Sequence, residues 1–215
     1  EILLAVGSPT MSEVYQKINL GTQDNAYLWG KILRLRLESD KLMVSIHSKG
    51  LRNPQGLTKV DGIYYVTDHG PMGGDEINVV EENANYGWPL QSIGSEYSLE
   101  AINKDYSDPI DTKPPLYSFV PSVGISSISN CPESYVNYYS PNRCVAISSM
   151  RGASLFFVVH NNDAVLFAER VEFGSRIREF AFQGDDLIAV TDYEGLIVGK
   201  ISELGSFNNW NTVTE

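Results

Sequence analysis

The sequence predicts an all-β protein built from repeated four-stranded units. Short runs rich in Val, Ile, Tyr and Phe are separated by Gly, Asn, Asp and Pro, which is the pattern of strands joined by turns. Helical periodicity is nearly absent. Residues 62–68 (GIYYVTD) resemble residues 186–192 (DLIAVTD), and each segment is followed by a glycine turn and another strand. This repetition favours a β-propeller, whereas the strand pattern alone also fits a β-sandwich.

The predicted elements follow one another at short intervals. Residues 30–37 alternate apolar with basic side chains, which is the two-residue period of a half-buried strand, so Arg34 and Arg36 are expected on a solvated face. Residues 90–115 carry few apolar pairs and several Ser, Asp and Pro residues, which predicts a long excursion loop over one face. In order, strands are predicted at residues 2–7, 30–37, 62–68, 76–80, 123–129, 143–149, 154–160, 177–182, 187–191 and 196–201.

Composition and charge limit the kind of protein. The chain has 215 residues, of which 42% are hydrophobic and 11% aromatic, enough for one sizeable core. Its 16 basic and 27 acidic residues give a net charge of -11, and the basic residues do not cluster, so nucleic acid and anionic membranes are not expected partners. No apolar run approaches the roughly 20 residues that span a bilayer. The first seven residues lack the basic region of a signal peptide.

Several residues have structural interpretations. Cys131 and Cys144 flank a stretch rich in Pro, Asn and Tyr that is predicted to be a loop. A disulfide between them and two buried thiols are both compatible with the sequence. His47 and His160 have no motif around them and are expected to be structural. Trp88, before a proline in a tight turn, is expected to be a core aromatic residue.

Three motifs occur in order within about 40 residues, and a fourth lies near the C-terminus. They are residues 50–57 (GLRNPQGL), 66–78 (VTDHGPMGGDEIN), 85–89 (NYGWP) and 176–178 (RIR). This arrangement resembles the glucose/sorbosone dehydrogenase family, the soluble aldose dehydrogenases, over nearly the whole chain. The resemblance implies a six-bladed β-propeller with the active site at the mouth of its central channel. At about 40 to 50 residues per blade, residues 1–215 would form a single partial domain of roughly four blades, a piece of a longer propeller.

The resemblance implies pyrroloquinoline quinone (PQQ) as the cofactor. This planar ortho-quinone carries three carboxylates, and arginine is suited to hold carboxylates because its planar guanidinium donates two parallel hydrogen bonds. By resemblance, the cofactor-binding residues are Arg52, Asn53, His69, Arg151, Arg176 and Arg178.

The resemblance also implies a calcium ion beside the quinone. Ca²⁺ is a hard cation that prefers oxygen ligands and activates the quinone carbonyl as a Lewis acid. The carbonyl oxygens of Gly70 and Pro71 are the expected ligands. Asp75, Glu76 and Tyr86 are expected to order this loop or to bind a second, structural calcium. For the two carboxylates, the alternative is a role in capping turn amides.

The catalytic base of the family is a histidine, whose pKa suits removal of the proton from the C1 hydroxyl of the sugar. By resemblance it lies upstream of Glu1, so no catalytic residue is assigned within this chain. The family usually has an aspartate that supports this base where the chain has Ser8, and a serine does not stabilise an imidazolium as a carboxylate does. Leu51 and residues 120–122 also depart from the family pattern.

The favoured function is therefore oxidation of the C1 hydroxyl of aldose sugars to lactones, by hydride transfer to PQQ, with a soluble electron acceptor. The alternative is a non-catalytic, calcium-stabilised propeller that binds carbohydrate or protein. Expected partners are an aldose sugar and the electron acceptor, and a second copy of the chain in a homodimer. The resemblance implies a periplasmic or secreted location.

Overall fold

A computed structural model describes residues 1–9, 20–95, 97, 99–102, 110–162, 164–201 and 211–212. These residues form four antiparallel sheets that follow one another along the chain. β1 to β3 form the first sheet, β4 to β7 the second, β8 to β11 the third and β12 to β15 the fourth, and within each sheet neighbouring strands are consecutive in sequence. The strands are β1 (Ile2–Val6), β2 (Lys31–Glu38), β3 (Lys41–Lys49), β4 (Pro54–Val60), β5 (Ile63–Asp68), β6 (Asp75–Val79), β7 (Tyr117–Phe119), β8 (Ile125–Asn130), β9 (Arg143–Ser149), β10 (Ser154–His160), β11 (Val165–Glu172), β12 (Ile177–Gln183), β13 (Asp186–Thr191), β14 (Leu196–Lys200) and β15 (Asn211–Thr212).

The prediction of repeated four-stranded units is confirmed for the second, third and fourth sheets, whereas the described residues of the first sheet form three strands. β9 and β10 have the predicted bounds. Four strands of more than two residues were not predicted, namely β3, β4, β7 and β11. In β11 the reason is the sequence VLFAERVE, which lacks a clear alternation because the strand has no fully buried residue. β10, by contrast, is buried at every position and is almost continuously apolar.

The segment between the two cysteines was wrongly predicted to be a loop, because it contains the helix α1 (Glu133–Tyr139). Tyr135 and Tyr139 lie four residues apart on one helix face and pack against the core of the second half of the chain. The ring centroid of Tyr135 lies 4.5 Å from that of Phe157. Cys131 and Cys144 form a disulfide with a Cα–Cα distance of 5.6 Å, which decides between the two alternatives left open by the sequence.

The described chain divides into two compact units, Glu1–Leu57 with Val66–Ser122, and Thr58–Tyr65 with Val123–Glu215. The core of the second unit is a cluster of apolar side chains from β9, β10 and the fourth sheet, including Leu155, Phe157, Ile177 and Leu187. His160 is buried there and its Nε2 lies 3.2 Å from the Tyr65 hydroxyl, so the predicted structural role of His160 is confirmed. No helix among the described residues has the length and hydropathy needed to span a bilayer.

In the first unit, a buried lysine holds the connection between β1 and β2. The Lys31 ammonium is fully buried and donates to the carbonyl oxygens of Gly21 and Thr22 at 3.0 and 2.7 Å, while burial lowers its pKa to about 8. The same connection reaches the loop after β6, because Thr22 Oγ1 and Gln23 Nε2 donate to the Trp88 carbonyl oxygen at 2.5 and 2.7 Å. The segment between β1 and β2 therefore fixes the position of Trp88.

One face of the first sheet is apolar and exposed. Ile2, Leu35 and Val44 lie opposite one another on β1, β2 and β3, and Leu37 lies opposite Leu42. Ile2 is 66% exposed, Leu37 73% and Leu42 63%. The other face carries Arg34 and Arg36. Arg36 is half exposed, as predicted, whereas the Arg34 side chain is only 16% exposed because it pairs with Glu1 and Glu82.

This apolar face predicts self-association of the 215-residue chain. Exposed contiguous apolar patches on sheets favour association because water is released from both surfaces. We expect light scattering to show an oligomer, and Leu37→Lys/Leu42→Lys to shift the population towards the monomer. Tyr138→Lys/Tyr193→Lys is the matched control, since both tyrosines are highly exposed outside this sheet. A strictly monomeric wild-type chain would contradict the prediction.

Candidate functional site

In the first unit, the carboxylate of Asp68 joins two of the sequence motifs. Asp68 ends β5 and is buried, and its two oxygens accept the backbone N–H groups of Arg52 and Asn53 at 2.8 and 2.6 Å. The backbone N–H of His69 donates to the Asn53 carbonyl oxygen at 3.0 Å. The loop that carries Arg52 and Asn53 is thereby fixed against the loop that carries His69 and Gly70.

The side chain of Arg52 makes a second connection between these loops. Its Nη1 donates to the carbonyl oxygens of His69 and Gly70 at 2.7 and 3.2 Å. Its guanidinium carbon lies 5.5 Å from the ring centroid of Trp88, within the range of a cation–π interaction. Trp88 is buried, as predicted, and it also supports the guanidinium group.

The segment between β5 and β6 is a tight turn held by Asp75. Asp75 is fully buried, and its Oδ1 accepts the backbone N–H of Gly70 at 2.9 Å and lies 3.4 Å from His69 Nδ1. A side chain at Gly70 is excluded, because a Cβ there would lie 2.4 Å from the carbonyl oxygen of Gly74. The contact of Asp75 with a turn amide is the one that the capping interpretation predicts.

A small cavity lies beside this turn. Gly70, Pro71, Glu76 and Trp88 line it together with Arg52. Burial, with smaller contributions from Asp68 and Asp75, raises the pKa of Glu76 to about 7, although Asn78 Nδ2 donates to its Oε2 at 3.2 Å. Burial also raises the pKa of Asp68 to about 6, and its two backbone donors oppose that shift.

The donors around this cavity have the chemistry that calcium prefers. Gly70, Pro71 and Glu76 line the cavity. Backbone carbonyl and carboxylate groups are hard oxygen ligands. The Gly70 oxygen accepts one hydrogen bond from Arg52 and keeps a second lone pair. In the part of the chain that the structure describes, no three His, Cys, Asp or Glu side chains are arranged to hold a metal ion. A calcium ion here would therefore depend on backbone carbonyls, one carboxylate and water.

The other predicted residue of this unit, Tyr86, orders a neighbouring turn. Its hydroxyl donates to the Val79 carbonyl oxygen at 2.8 Å and accepts the backbone N–H of Glu81 at 3.0 Å. Burial raises the pKa of Tyr86 to about 12. The hydroxyl thus closes the loop after β6 that leads to Trp88.

In the second unit, Arg176 and Arg178 meet at one carboxylate. The register of β12 against β13 shifts between Ile177 and Glu179, so Arg178 lies at a β-bulge, a feature that re-aims side chains. Arg176 Nε donates to Asp192 Oδ2 at 2.7 Å, and Arg178 Nε donates to Asp192 Oδ1 at 2.6 Å. Two positive charges therefore share one negative charge, and both side chains are more than a third exposed.

Arg151 lies in the exposed turn between β9 and β10. Met150, the residue before it, contacts the arginine pair, with its Sδ 3.0 Å from Arg178 Nη1. Two important residues were not predicted from the sequence, namely Asp68 and Asp192. A signal for them was present, because the two similar segments at 62–68 and 186–192 both have Thr-Asp at the end of a strand.

The sequence profile of the Glucose / Sorbosone dehydrogenase family matches residues 9–198. The chain belongs to this family. It is 31% identical over 121 residues to aldose sugar dehydrogenase YliI of Escherichia coli, a match that covers 50% of this chain and 33% of that protein. It is 36% identical over 84 residues to quinoprotein glucose dehydrogenase B of Acinetobacter calcoaceticus, which covers 34% of this chain and 17% of that protein.

Among solved structures, the apo form of the soluble aldose sugar dehydrogenase from Escherichia coli superposes with a TM-score of 0.73 at 25% identity. The superposition covers 90% of this chain and 58% of that structure. Family membership confirms the predicted fold class, and the four sheets correspond to blades of the family's β-propeller. The chain spans about a third of the length of the E. coli relative it matches by sequence.

Proposed function

We propose that this chain carries cofactor-binding parts of a quinoprotein that oxidises aldose sugars at C1 to lactones. Membership of the Glucose / Sorbosone dehydrogenase family and the similarity to a protein named quinoprotein glucose dehydrogenase support the proposal. PQQ is the proposed cofactor, and when bound it would accept the hydride from C1 before a soluble acceptor takes the electrons. An aldose is the proposed substrate.

The observation that carries the proposal is the arginine pair of the second unit. Asp192 engages the Nε of both arginines, and within the described residues the Nη atoms of Arg176 have no hydrogen-bond partner. One of the two positive charges is left over for a ligand. Guanidinium groups placed side by side bind carboxylates through charge-assisted hydrogen bonds, and PQQ carries three carboxylates. Arg151 is proposed as a further cofactor contact.

In the first unit we propose Arg52, Asn53 and His69 as cofactor-binding residues. Gly70 and Pro71 are the proposed carbonyl ligands of Ca²⁺, which would polarise the quinone carbonyl as a Lewis acid. Glu76 is the proposed carboxylate at that cavity, and Asp75 and Tyr86 hold the turns around it by the hydrogen bonds described above. Arg52 neutralises part of this acidic region and fixes the carbonyl of Gly70.

Calorimetric titration of PQQ into the calcium-loaded chain tests the proposal. We expect binding in the wild-type chain and about 30-fold weaker binding in Arg176→Ala/Arg178→Ala, because charge-assisted hydrogen bonds to the ligand are lost. Arg36→Ala/Arg170→Ala is the matched control, since it removes two exposed arginines that pair with carboxylates elsewhere. Absence of binding to a folded wild-type chain, or equal losses in the two double variants, would refute the proposal.

A second candidate function is a non-catalytic, calcium-stabilised propeller that binds carbohydrate or protein. Ser8 favours it, because the family usually has at this position an aspartate that supports the catalytic base, and a serine does not stabilise an imidazolium as a carboxylate does. Calcium-dependent sugar binding that survives Arg176→Glu/Arg178→Glu and is lost in Asp75→Lys/Glu76→Lys would establish this function in place of the first.

We also propose a periplasmic or extracellular location and a homodimer. The disulfide between Cys131 and Cys144 supports the location, because structural disulfides persist in oxidising compartments. The exposed apolar face of the first sheet supports association of two copies.

A further inference from the structure

The second and fourth sheets each have an aspartate at the end of a strand, but the two carboxylates accept hydrogen bonds from different kinds of donor. In the second sheet, the aspartate that ends β5 accepts two backbone N–H groups and fixes the course of the main chain. In the fourth sheet, Asp192 follows β13 and accepts side-chain donors from Arg176 and Arg178 instead. The main chain at this place has other anchors, so the carboxylate of Asp192 is not needed to hold it.

Those anchors are independent of the Asp192 side chain. The backbone N–H of Asp192 donates to the Arg176 carbonyl oxygen at 3.1 Å, and the Thr191 N–H donates to the Gly195 carbonyl oxygen at 2.8 Å. The Ser175 hydroxyl donates to the Glu194 carboxylate, which also accepts the Thr191 hydroxyl at 2.9 Å. The turn after β13 therefore holds the residues before β12 without the carboxylate of Asp192.

The hydrogen bonds of Asp192 restrict both arginine side chains at their Nε atoms. Each Nε points at a different oxygen of the carboxylate, and Arg178 Nη2 adds a third contact at 3.2 Å. The two guanidinium groups would otherwise repel each other and sample many rotamers, since arginine side chains lose considerable entropy on ordering. A ligand that binds the prearranged pair does not incur that entropy loss again.

We propose that Asp192 is a positioning residue that holds Arg176 and Arg178 as a preformed binding site for the carboxylates of an anionic cofactor. The proposal rests on the proposed function, since it concerns the same arginine pair. A positioning role and simple electrostatics predict opposite effects on ligand binding when the Asp192 carboxylate is removed. Removal of a negative charge next to an anionic ligand strengthens binding if charge alone matters, and weakens binding if positioning matters.

The test compares Asp192→Asn with the matched variant Asp186→Asn, which removes an exposed aspartate at the start of the same strand. In PQQ titrations of the calcium-loaded chain, we expect about tenfold weaker binding for Asp192→Asn and little change for Asp186→Asn. In ¹⁵N spectra of the ligand-free proteins, we expect the arginine Nε–H signals of Arg176 and Arg178 to be resolved in the wild-type chain. These signals should broaden or collapse towards the random-coil position only in Asp192→Asn.

The possible outcomes test the positioning role of Asp192 and the proposed function separately. PQQ binding to Asp192→Asn that is as tight as, or tighter than, wild-type binding overturns the positioning role while the proposed function stands. If the wild-type chain does not bind PQQ, the proposed function fails. The ligand-free spectra then decide the positioning role alone, because unchanged Nε–H signals in Asp192→Asn would refute it.

Discussion

Asp68→Ala is expected to lower the free energy of unfolding by about 4 kcal/mol at pH 5. The substitution leaves two partly buried backbone N–H groups, those of Arg52 and Asn53, without an acceptor, and each such loss costs about 1 to 3 kcal/mol. Asp68→Asn keeps one acceptor oxygen, so it should cost about half as much. Urea unfolding measures both values.

The same substitution has a local signature that separates it from general destabilisation. Hydrogen exchange of the Arg52 and Asn53 amides should accelerate in Asp68→Ala more than exchange elsewhere in the first unit, because these amides lose their acceptors directly. Asp186→Ala, which removes an exposed aspartate, should change the unfolding free energy by less than about 0.5 kcal/mol. A loss below about 1 kcal/mol in Asp68→Ala would show that these hydrogen bonds do not hold the loop.

The value of pH 5 follows from the environment of the carboxyl group. Burial raises the pKa of Asp68 to about 6, so at pH 5 the group is mostly protonated in the folded chain. At that pH the folded state does not bear the cost of burying a charged carboxylate. At pH 8 the buried group is ionised at a cost to the folded state, and the difference between wild type and Asp68→Ala should narrow.

The sequence predicted the fold class and most strands because sheet alternation and turn residues are local signals. It did not predict α1, since Tyr135 and Tyr139 are also good strand residues and only their packing against the core fixes them in a helix. It predicted Arg176 and Arg178 by resemblance but missed Asp192, their shared partner. That pairing lies across the register of β12 against β13, which shifts at Arg178, and such a bulge leaves no clear trace in a single sequence.

The candidate site in the first unit was predicted in the same incomplete way. The motifs identified Arg52, His69 and Gly70 by resemblance, whereas the hydrogen bonds among them appear only once β5 and its flanking loops are formed. Asp68 lies within the motif at residues 66–78, but in the sequence it resembles an ordinary aspartate at the end of a strand. Only its burial distinguishes it from surface aspartates at equivalent positions.

Glu76 should contribute a fall of about 3 kcal/mol to the unfolding free energy of the calcium-free chain as the pH rises from about 4.5 to 8. Burial raises the pKa of Glu76 from 4.5 to about 7 in the folded chain, so the folded state retains a proton that the unfolded state has released. The stabilisation is complete below about pH 4.5 and is lost as the pH passes through 7. Chemical unfolding in a chelator at several pH values measures it.

Glu76→Gln should remove this part of the pH dependence, because an amide does not titrate, and the remaining slope should reflect Asp68 and other groups. Glu38→Gln, at the exposed end of β2, is the control and should keep the wild-type slope. Calcium provides the second comparison, since a cation at the Gly70 and Pro71 carbonyls would favour ionised Glu76. Calcium should therefore stabilise the wild-type chain at pH 8 more than Glu76→Gln, and equal stabilisation of the two would place the ion away from this carboxylate.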